Sequence, residues 1–302
     1  MAQALAIDSL FEEHRRFLWG LCYRMTGSAA DADDVVQDTF VRAIERPPRR
    51  TDEPLRPWLI KVALNLARDL LRRRRRRDYV GPWLPSPIET EPPSHEPAAL
   101  DGRYELLESV SFAFLIALEA LTPTQRAVLL LRDVFDYSVK EAADALDLTE
   151  ANVKTTHHRA RCAMEAYDGA RQIPTAARQQ ATAAALRDFL HALERHDVAA
   201  VESLLASDVR TTTDGGGEFR SALRTIVGRD KVTRFYFAVA PNAANARVRM
   251  PELNGVPSVV VDLLTPAPGL GPRFTLIAEL DDRGKIAHLY VVSATRKLTA
   301  IA

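Results

Sequence analysis

Cysteine is nearly absent: Cys22 and Cys162 stand far apart in 302 residues, with no C-x-x-C pair. That excludes a disulfide framework and a cysteine-built zinc site, and both residues read as ordinary core thiols. No stretch approaches the roughly 18 uninterrupted apolar residues that a membrane helix requires, and the N-terminus lacks a basic-then-apolar signal pattern. A membrane-free, cytoplasmic protein is expected. Net charge is also missing, with 40 Lys and Arg against 40 Asp and Glu. The balance hides an asymmetry: residues 1–78 hold 16 basic against 12 acidic groups, residues 79–170 hold 7 against 15, and residues 171–302 hold 17 against 13. The length suits two or three domains.

Residues 138–161, SVKEAADALDLTEANVKTTHHRAR, read as two helices around a tight turn. Ala142, Ala143, Leu146, Leu148 and Val153 fall at helical spacing, and Thr149 suits the N-cap of the second helix. That second helix offers Asn152, Lys154, Thr155, His158, Arg159 and Arg161, residue types that reach base edges and phosphates in a major groove. The adjacent His157 and His158 point about 100° apart on a helix, which disfavours joint metal ligation. No metal site and no cofactor are expected.

Upstream, residues 8–26 and 31–45 carry helical periodicity and meet near Gly27, and residues 55–77 form a third helix that ends in six arginines, Arg72 to Arg77. An arginine run closing an amphipathic helix favours phosphate contact over a merely solvated face. Six prolines between positions 82 and 97 mark a linker, although Tyr79, Trp83, Leu84 and Ile88 are apolar groups that a plain spacer has little reason to carry. Two apolar helices follow within 104–135, the second opened by Thr122, Pro123 and Gln125. Beyond a helix at about 175–196 and a short one near 198–206, strand-like runs at 209–213, 246–250, 258–264, 273–280 and 285–293 predict an antiparallel sheet in a separate α+β domain.

Within 31–45, Asp33, Asp34, Gln37 and Asp38 place acids and an amide beside apolar Val35, Val36, Phe40 and Val41. Carboxylates repel phosphate, so this helix suits a protein partner. An acidic DDVVQDTF helix, a Trp-bearing basic helix, a spacer and a helix-turn-helix, in that order over residues 8–167, resemble the extracytoplasmic-function class of bacterial sigma factors. The resemblance implies two all-α domains, a region 2 bundle (1–78) and a region 4 helix-turn-helix (104–170), joined by a proline-rich linker (79–103). It implies that Asp33, Asp34, Gln37, Asp38 and Phe40 bind core RNA polymerase. Trp58, Lys61, Asn65, Arg68, Asp69, Arg72, Arg73 and Arg74 would recognise the promoter −10 element, and the helix-turn-helix residues would read the −35 element. Two weak readers on one chain raise each other's effective concentration.

Residues 175–302 resemble the SnoaL-like branch of the nuclear-transport-factor-like fold, an α+β cone. A sigma subgroup with this extension carries a W-L-P-x-P linker motif, matched by Trp83-Leu84-Pro85-Ser86-Pro87, and a D-G-G-G motif, matched by Asp214-Gly215-Gly216-Gly217. Glu218 departs from the expected lysine, and Ala294 to Leu298, ATRKL, departs from an expected N-P-D-K-L stretch. The matched residues imply contact between linker and extension, which would modulate the sigma regions in cis. A small ligand in the extension's cavity is a further expectation. SnoaL-like cavities can catalyse, and Asp214, His191, Asp262 and His288 are the acid–base candidates, but no pair has a spacing that demands catalysis. Asp214 before three glycines suits a turn, and His288, alternating with Ile286 and Tyr290, is expected to face the cavity. An enzyme with a DNA-binding appendage and a ligand-sensing repressor both leave the DDVVQDTF and Trp58 helices without a task. The sequence therefore reads as a promoter-directing factor, not an enzyme.

Overall fold

The computed structural model describes residues 2–47, 54–74, 79–90, 104, 106, 108–171, 175–243 and 245–302. Two compact units emerge, Met1–Asp78 with His95–Gln172, and Tyr79–Ser94 with Ile173–Ala302. The two helical segments thus form one unit, and the first part of the linker belongs with the sheet. Arg75, Arg76, Arg77 and linker positions 91–103 lie outside the described residues.

In the first unit, α1 (Ala2–Thr26), α2 (Ala29–Glu45) and α3 (Leu55–Arg74) pack together. Gly27 turns the chain at φ 65°, and the Ser28 hydroxyl caps α2 by accepting from Asp31 N. Leu18, Leu21, Met25, Val35, Val36, Leu59, Ile60 and Leu64 are buried between them. The short α4 (Phe112–Ala117) precedes α5 (Pro123–Leu129), which opens on the Thr122–Gln125 capping box and ends in a π-type turn over Leu130–Val134. Then come α6 (Val139–Leu146) and α7 (Glu150–Gly169).

Two buried arginines join these segments reciprocally. From α1, Arg24 donates to Ser109 Oγ (2.7 Å) and the Leu106 carbonyl (2.9 Å). From α5, Arg126 donates to the Met25 carbonyl (2.8 Å), the Leu118 carbonyl (2.7 Å) and Glu119 Oε1 (2.8 Å). Burial pushes the Arg24 guanidinium down to about 10, still charged at neutral pH.

The second unit begins with α8 (Ala176–Glu194) and α9 (Val198–Leu204), followed by β1 (Leu205–Asp214), β2 (Ile226–Val227) and α10 (Arg229–Val239). Then β3 (Ala246–Arg249), β4 (Glu252–Leu253), β5 (Val256–Leu263), β6 (Arg273–Leu280) and β7 (Ile286–Val292) complete the sheet. Strand order is β2-β1-β7-β6-β5-β3, with β4 on β5. The sequence predicts an antiparallel sheet; β1 and β7 instead pair in parallel, so the sheet is mixed. The intervening α10 and antiparallel strands supply the long crossover that a parallel pair needs. Sequence reading also missed α10 and the short β2 and β4, which carry little period-2 signal.

Phe189 of α8 and Val232 and Tyr236 of α10 cover one sheet face, built from Val259, Val261, Leu276, Ala278 and Leu289. Strand alternation puts Arg210, Glu279, His288 and Tyr290 on the opposite face. His288 therefore stands away from the helix-covered side, because Ala287 and Leu289 occupy the core side of β7. Its ring stacks on Tyr290 at 4.4 Å, and Tyr290 OH donates to Glu279 (3.0 Å).

Burial raises the Glu279 carboxyl from 4.5 to about 7, and burial with the nearby Arg210 charge lowers His288 from 6.5 to about 4. Folded Glu279 keeps a proton that the unfolded chain has lost, so its contribution to stability falls as pH rises from about 4.5 to about 7. His288 gives the opposite slope between about 4 and 6.5. Glu279→Gln removes only the first. Urea unfolding of this variant should show a gain over the parent of about 1–3 kcal/mol at pH 8 that disappears near pH 4.5; an equal difference at both pH values would contradict the burial account.

Candidate nucleic-acid interface

The helix-turn-helix is closed by local chemistry. Ser138 and Glu141 form a capping box on α6, Asp147 ends it in the left-handed region at φ 53°, and the Thr149 hydroxyl caps α7 by accepting from Asn152 N. Ala142, Ala143, Leu146, Val153, Ala160 and Met164 are buried, so the two helices share an apolar seam in which alanines alternate with larger side chains. Asn152, Lys154, Thr155, His158 and Arg159 are exposed along α7. Arg161 is not free to reach outward. It donates from Nε (3.1 Å) and Nη2 (2.6 Å) to the buried carboxylate of Asp133. Cys162 is exposed on α7, against the expectation of a core thiol, because it falls outside the Val153–Ala160–Met164 stripe; Cys22 is buried, and burial pushes its thiol up to about 12.

On α3, the residues expected to meet the −10 element lie largely against the second helical segment. Lys61 pairs with Asp147 at 2.5 Å. Arg68 donates to Asn65 Oδ1 (3.3 Å), Thr124 Oγ1 (3.3 Å) and the Leu146 carbonyl (3.5 Å). Arg74 donates to the Thr26 carbonyl (2.6 Å) and Glu119 (2.9 Å). Trp58 is half-buried, whereas Asp69, Arg72 and Arg73 are exposed, Arg72 holding Asp69 at 2.9 Å. Burial and the Arg72 charge hold the Arg68 guanidinium below its usual value.

Asp33, Asp34, Gln37 and Asp38 line the exposed side of α2, with Trp19 Nε1 donating to Asp33 at 2.9 Å. Phe40 departs from its expected place: it is 5% exposed and packs on Phe11 at 4.7 Å, since it shares the buried stripe with Val36. Val41 (42%) and Ile44 (57%) are the apolar side chains this helix exposes. Helical spacing from Asp34 and Gln37 to Val41 and Ile44 was the signal available in the sequence.

The second unit brings together the linker and glycine motifs. Asp214, at the end of β1, accepts from Tyr79 OH (2.7 Å) and Gly216 N (2.9 Å) on one oxygen, and from Leu84 N (2.7 Å) and Lys297 Nζ (2.5 Å) on the other. Lys297 also donates to the Leu84 carbonyl (2.5 Å) and lies over the rings of Trp83 (4.4 Å) and Tyr79 (4.9 Å). Leu84 to Ile88 are buried, and Ile88 pairs with Asn254 through both its N–H and carbonyl (3.0 and 2.9 Å). Gly215 and Gly216 are forced by space: a Cβ would stand 2.5 Å from the Phe219 carbonyl oxygen or 2.8 Å from Ala294 Cβ. Glu218, in the place of an expected lysine, accepts from Thr295 N at 3.2 Å. The departing ATRKL stretch keeps the lysine that matters.

Residues 10–77 match the family model for Sigma-70 region 2, and residues 112–164 match that for Sigma-70 region 4. Fold and helix order thus define a two-region sigma factor, a DNA-binding initiation factor for RNA polymerase. The chain is 31% identical over 299 residues to ECF RNA polymerase sigma factor SigJ of Mycobacterium tuberculosis, spanning 96% of this chain and 93% of that protein. It is 38% identical over 175 residues to SigG of the same organism, covering 51% of this chain and 46% of SigG. A crystal structure of SigJ matches with TM-score 0.73 and 28% identity over 97% of this chain and 98% of that one. The chain belongs to the extracytoplasmic-function RNA polymerase sigma factors, with a SnoaL-like α+β domain after the sigma regions.

Removing the ammonium of Lys297 leaves the Asp214 carboxylate, 1% exposed, without its cation. Lys297→Met should cost about 3–5 kcal/mol in the second unit, and limited proteolysis should show earlier cleavage between Tyr79 and Thr90. Unchanged stability and protection would remove Lys297 from the linker contact.

Proposed function

We propose that α2 docks on core polymerase through Asp33, Asp34, Gln37 and Asp38, with Val41 and Ile44 as the apolar complement, and that Phe40 supports this surface from beneath. Promoter −35 DNA is read by Asn152, Lys154, Thr155, His158 and Arg159, and −10 DNA by the Trp58, Lys61, Asn65, Arg68, Asp69, Arg72, Arg73 and Arg74 side of α3. The observation that carries this reading is the division of charge: an exposed acidic face on α2, which packs against the basic α3, with an exposed polar face on α7, in a chain whose whole length resembles SigJ. The bonds from Lys61 to Asp147 and from Arg68 to Thr124 and Leu146 make the described arrangement a closed one. Reading of the −10 element by α3 requires these bonds to be exchanged for DNA.

The SnoaL-like domain acts in cis by holding Trp83, Leu84 and Pro85 against Asp214 and Gly215 to Gly217. A non-enzymatic role is supported by the engagement of the acid–base candidates: Asp214 with Lys297, Asp262 with Arg273 at 2.5 Å, and His288 beneath Tyr290. His191 is exposed beside Glu194. Among the described residues no group of three or more His, Cys, Asp or Glu is placed to hold a metal, and no described helix is long and apolar enough to cross a membrane. Action on polymerase and promoter DNA places the protein in the cytoplasm.

Purified full-length protein added to core polymerase should give initiation at a cognate promoter. Lys154→Ala and Arg159→Ala should each reduce output about 5- to 100-fold, most at promoters with a strong −35 element. Absence of core binding in a pull-down would refute the sigma reading, and equal output at every −35 variant would refute the α7 assignment.

A further inference from the structure

The −35 reading helix α7 has two opposed edges. With about 100° per residue, His157, Arg161 and Asp168 fall on one stripe, while Asn152, Thr155 and Arg159 lie roughly opposite. The inner stripe is held by groups of the same helical unit. Asp133, in the π-type turn after α5, takes Arg161 through two bonds and His157 Nε2 at 2.9 Å, and is 1% exposed. Its own carbonyl accepts from Tyr104 N (2.9 Å), and the Tyr104 hydroxyl reaches Asp168 at 2.8 Å, two turns further along α7. Burial works to raise the Asp133 carboxyl, but the adjacent His157 and the bonded Arg161 guanidinium outweigh it and keep the group below its ordinary value. The carboxylate is therefore ionised whenever the protein is near neutral pH.

The seam between α6 and α7 combines Ala142, Ala143 and Ala160 with Leu146, Val153 and Met164, and apolar contact is non-directional, so it does not by itself fix the rotation of the helix. Arg161, bonding both oxygens of one fixed carboxylate, with the His157 ring one turn earlier lying against the same group, sets rotation and axial position together. The π-type turn is what brings Asp133 there, since inserted turns of this kind re-aim the side chains that follow. We propose that Asp133 is the positioning residue of promoter reading: it sets the rotation of α7 so that Asn152, Thr155 and Arg159 face the major groove, and it thereby governs −35 selectivity without touching DNA. The proposal rests on the assignment of α7 to the −35 element, and it takes Arg161 from the DNA-contacting set and gives it to the support.

The test uses full-length protein with core polymerase on paired promoters that differ only in an intact or scrambled −35 element, with an identical −10 element. Asp133→Ala should lower the intact-to-scrambled output ratio about tenfold, while leaving output from the scrambled promoter and binding to core unchanged. Asp133→Asn, which retains an acceptor for Arg161 but no charge, should fall between. A Asp133→Ala protein of native circular dichroism whose ratio stays within about twofold of the parent overturns the proposal, as does a uniform loss at both promoters. If Asp133→Ala fails to fold, His157→Gln and Arg161→Lys each weaken one arm, and each should lower the ratio about threefold; unchanged ratios in both overturn it. A parent protein that shows no −35 preference overturns the α7 assignment itself, which separates that failure from failure of Asp133.

Discussion

The reciprocal insertion of two buried arginines organises the sigma half of this protein. Arg24 reaches from α1 to Ser109 and the Leu106 carbonyl, and Arg126 reaches from α5 to the Met25 carbonyl and Glu119. A guanidinium presents five donors in a rigid fork, so it bonds backbone carbonyls from directions that a lysine could not satisfy together. Loss of either partner leaves a buried charge without compensation, which costs several kcal/mol. With α1 and α5 fixed to one another, α3 lies beside α5 and α6, and its basic groups take their oxygens from Asp147, Leu146, Thr124 and Glu119.

That arrangement has a physical cost balance suited to a switch. Lys61 and Asp147 are 38% and 64% exposed, so their pair contributes at most about 1 kcal/mol and is weakened by salt. The α3 contacts are individually weak and reversible, unlike the arginine forks. A polyanion, or the free energy of docking on polymerase, can replace them without unfolding either segment. Exposed α7 side chains need no such exchange. The two helices proposed to read the promoter therefore differ in readiness: α7 is presented, and Lys61, Arg68 and Arg74 of α3 are engaged.

Much of this was legible in the sequence, and the reasons for the remainder are specific. Helix caps at Thr122 and Thr149 are local chemistry and appear at the expected positions. The strand at 273–280 was visible because Phe274, Leu276 and Ala278 alternate against Thr275 and Glu279. Phe40 was misplaced because an apolar residue at the border of a helix stripe can face either way until Phe11 is known to meet it. Arg161 and Lys297 were missed or doubted because a buried ion pair joins residues 28 and 83 positions apart, and no local pattern encodes that separation. The parallel β1–β7 pair was hidden for the same reason. The chemistry of the linker was half visible: Trp83 and Leu84 were out of place in a spacer, and Asp214 was the partner they required.

The central claim is that α3 reads DNA only after parting from α5 and α6. The direct measurement is the distance between spin labels at Arg56→Cys on α3 and Asp144→Cys on α6, both exposed positions, in a Cys162→Ser background, with buried Cys22 unreactive. The account predicts one short distance in the free protein and a longer one when the labelled protein is bound to core polymerase and active at its promoter. The same short distance in a transcribing complex would contradict it.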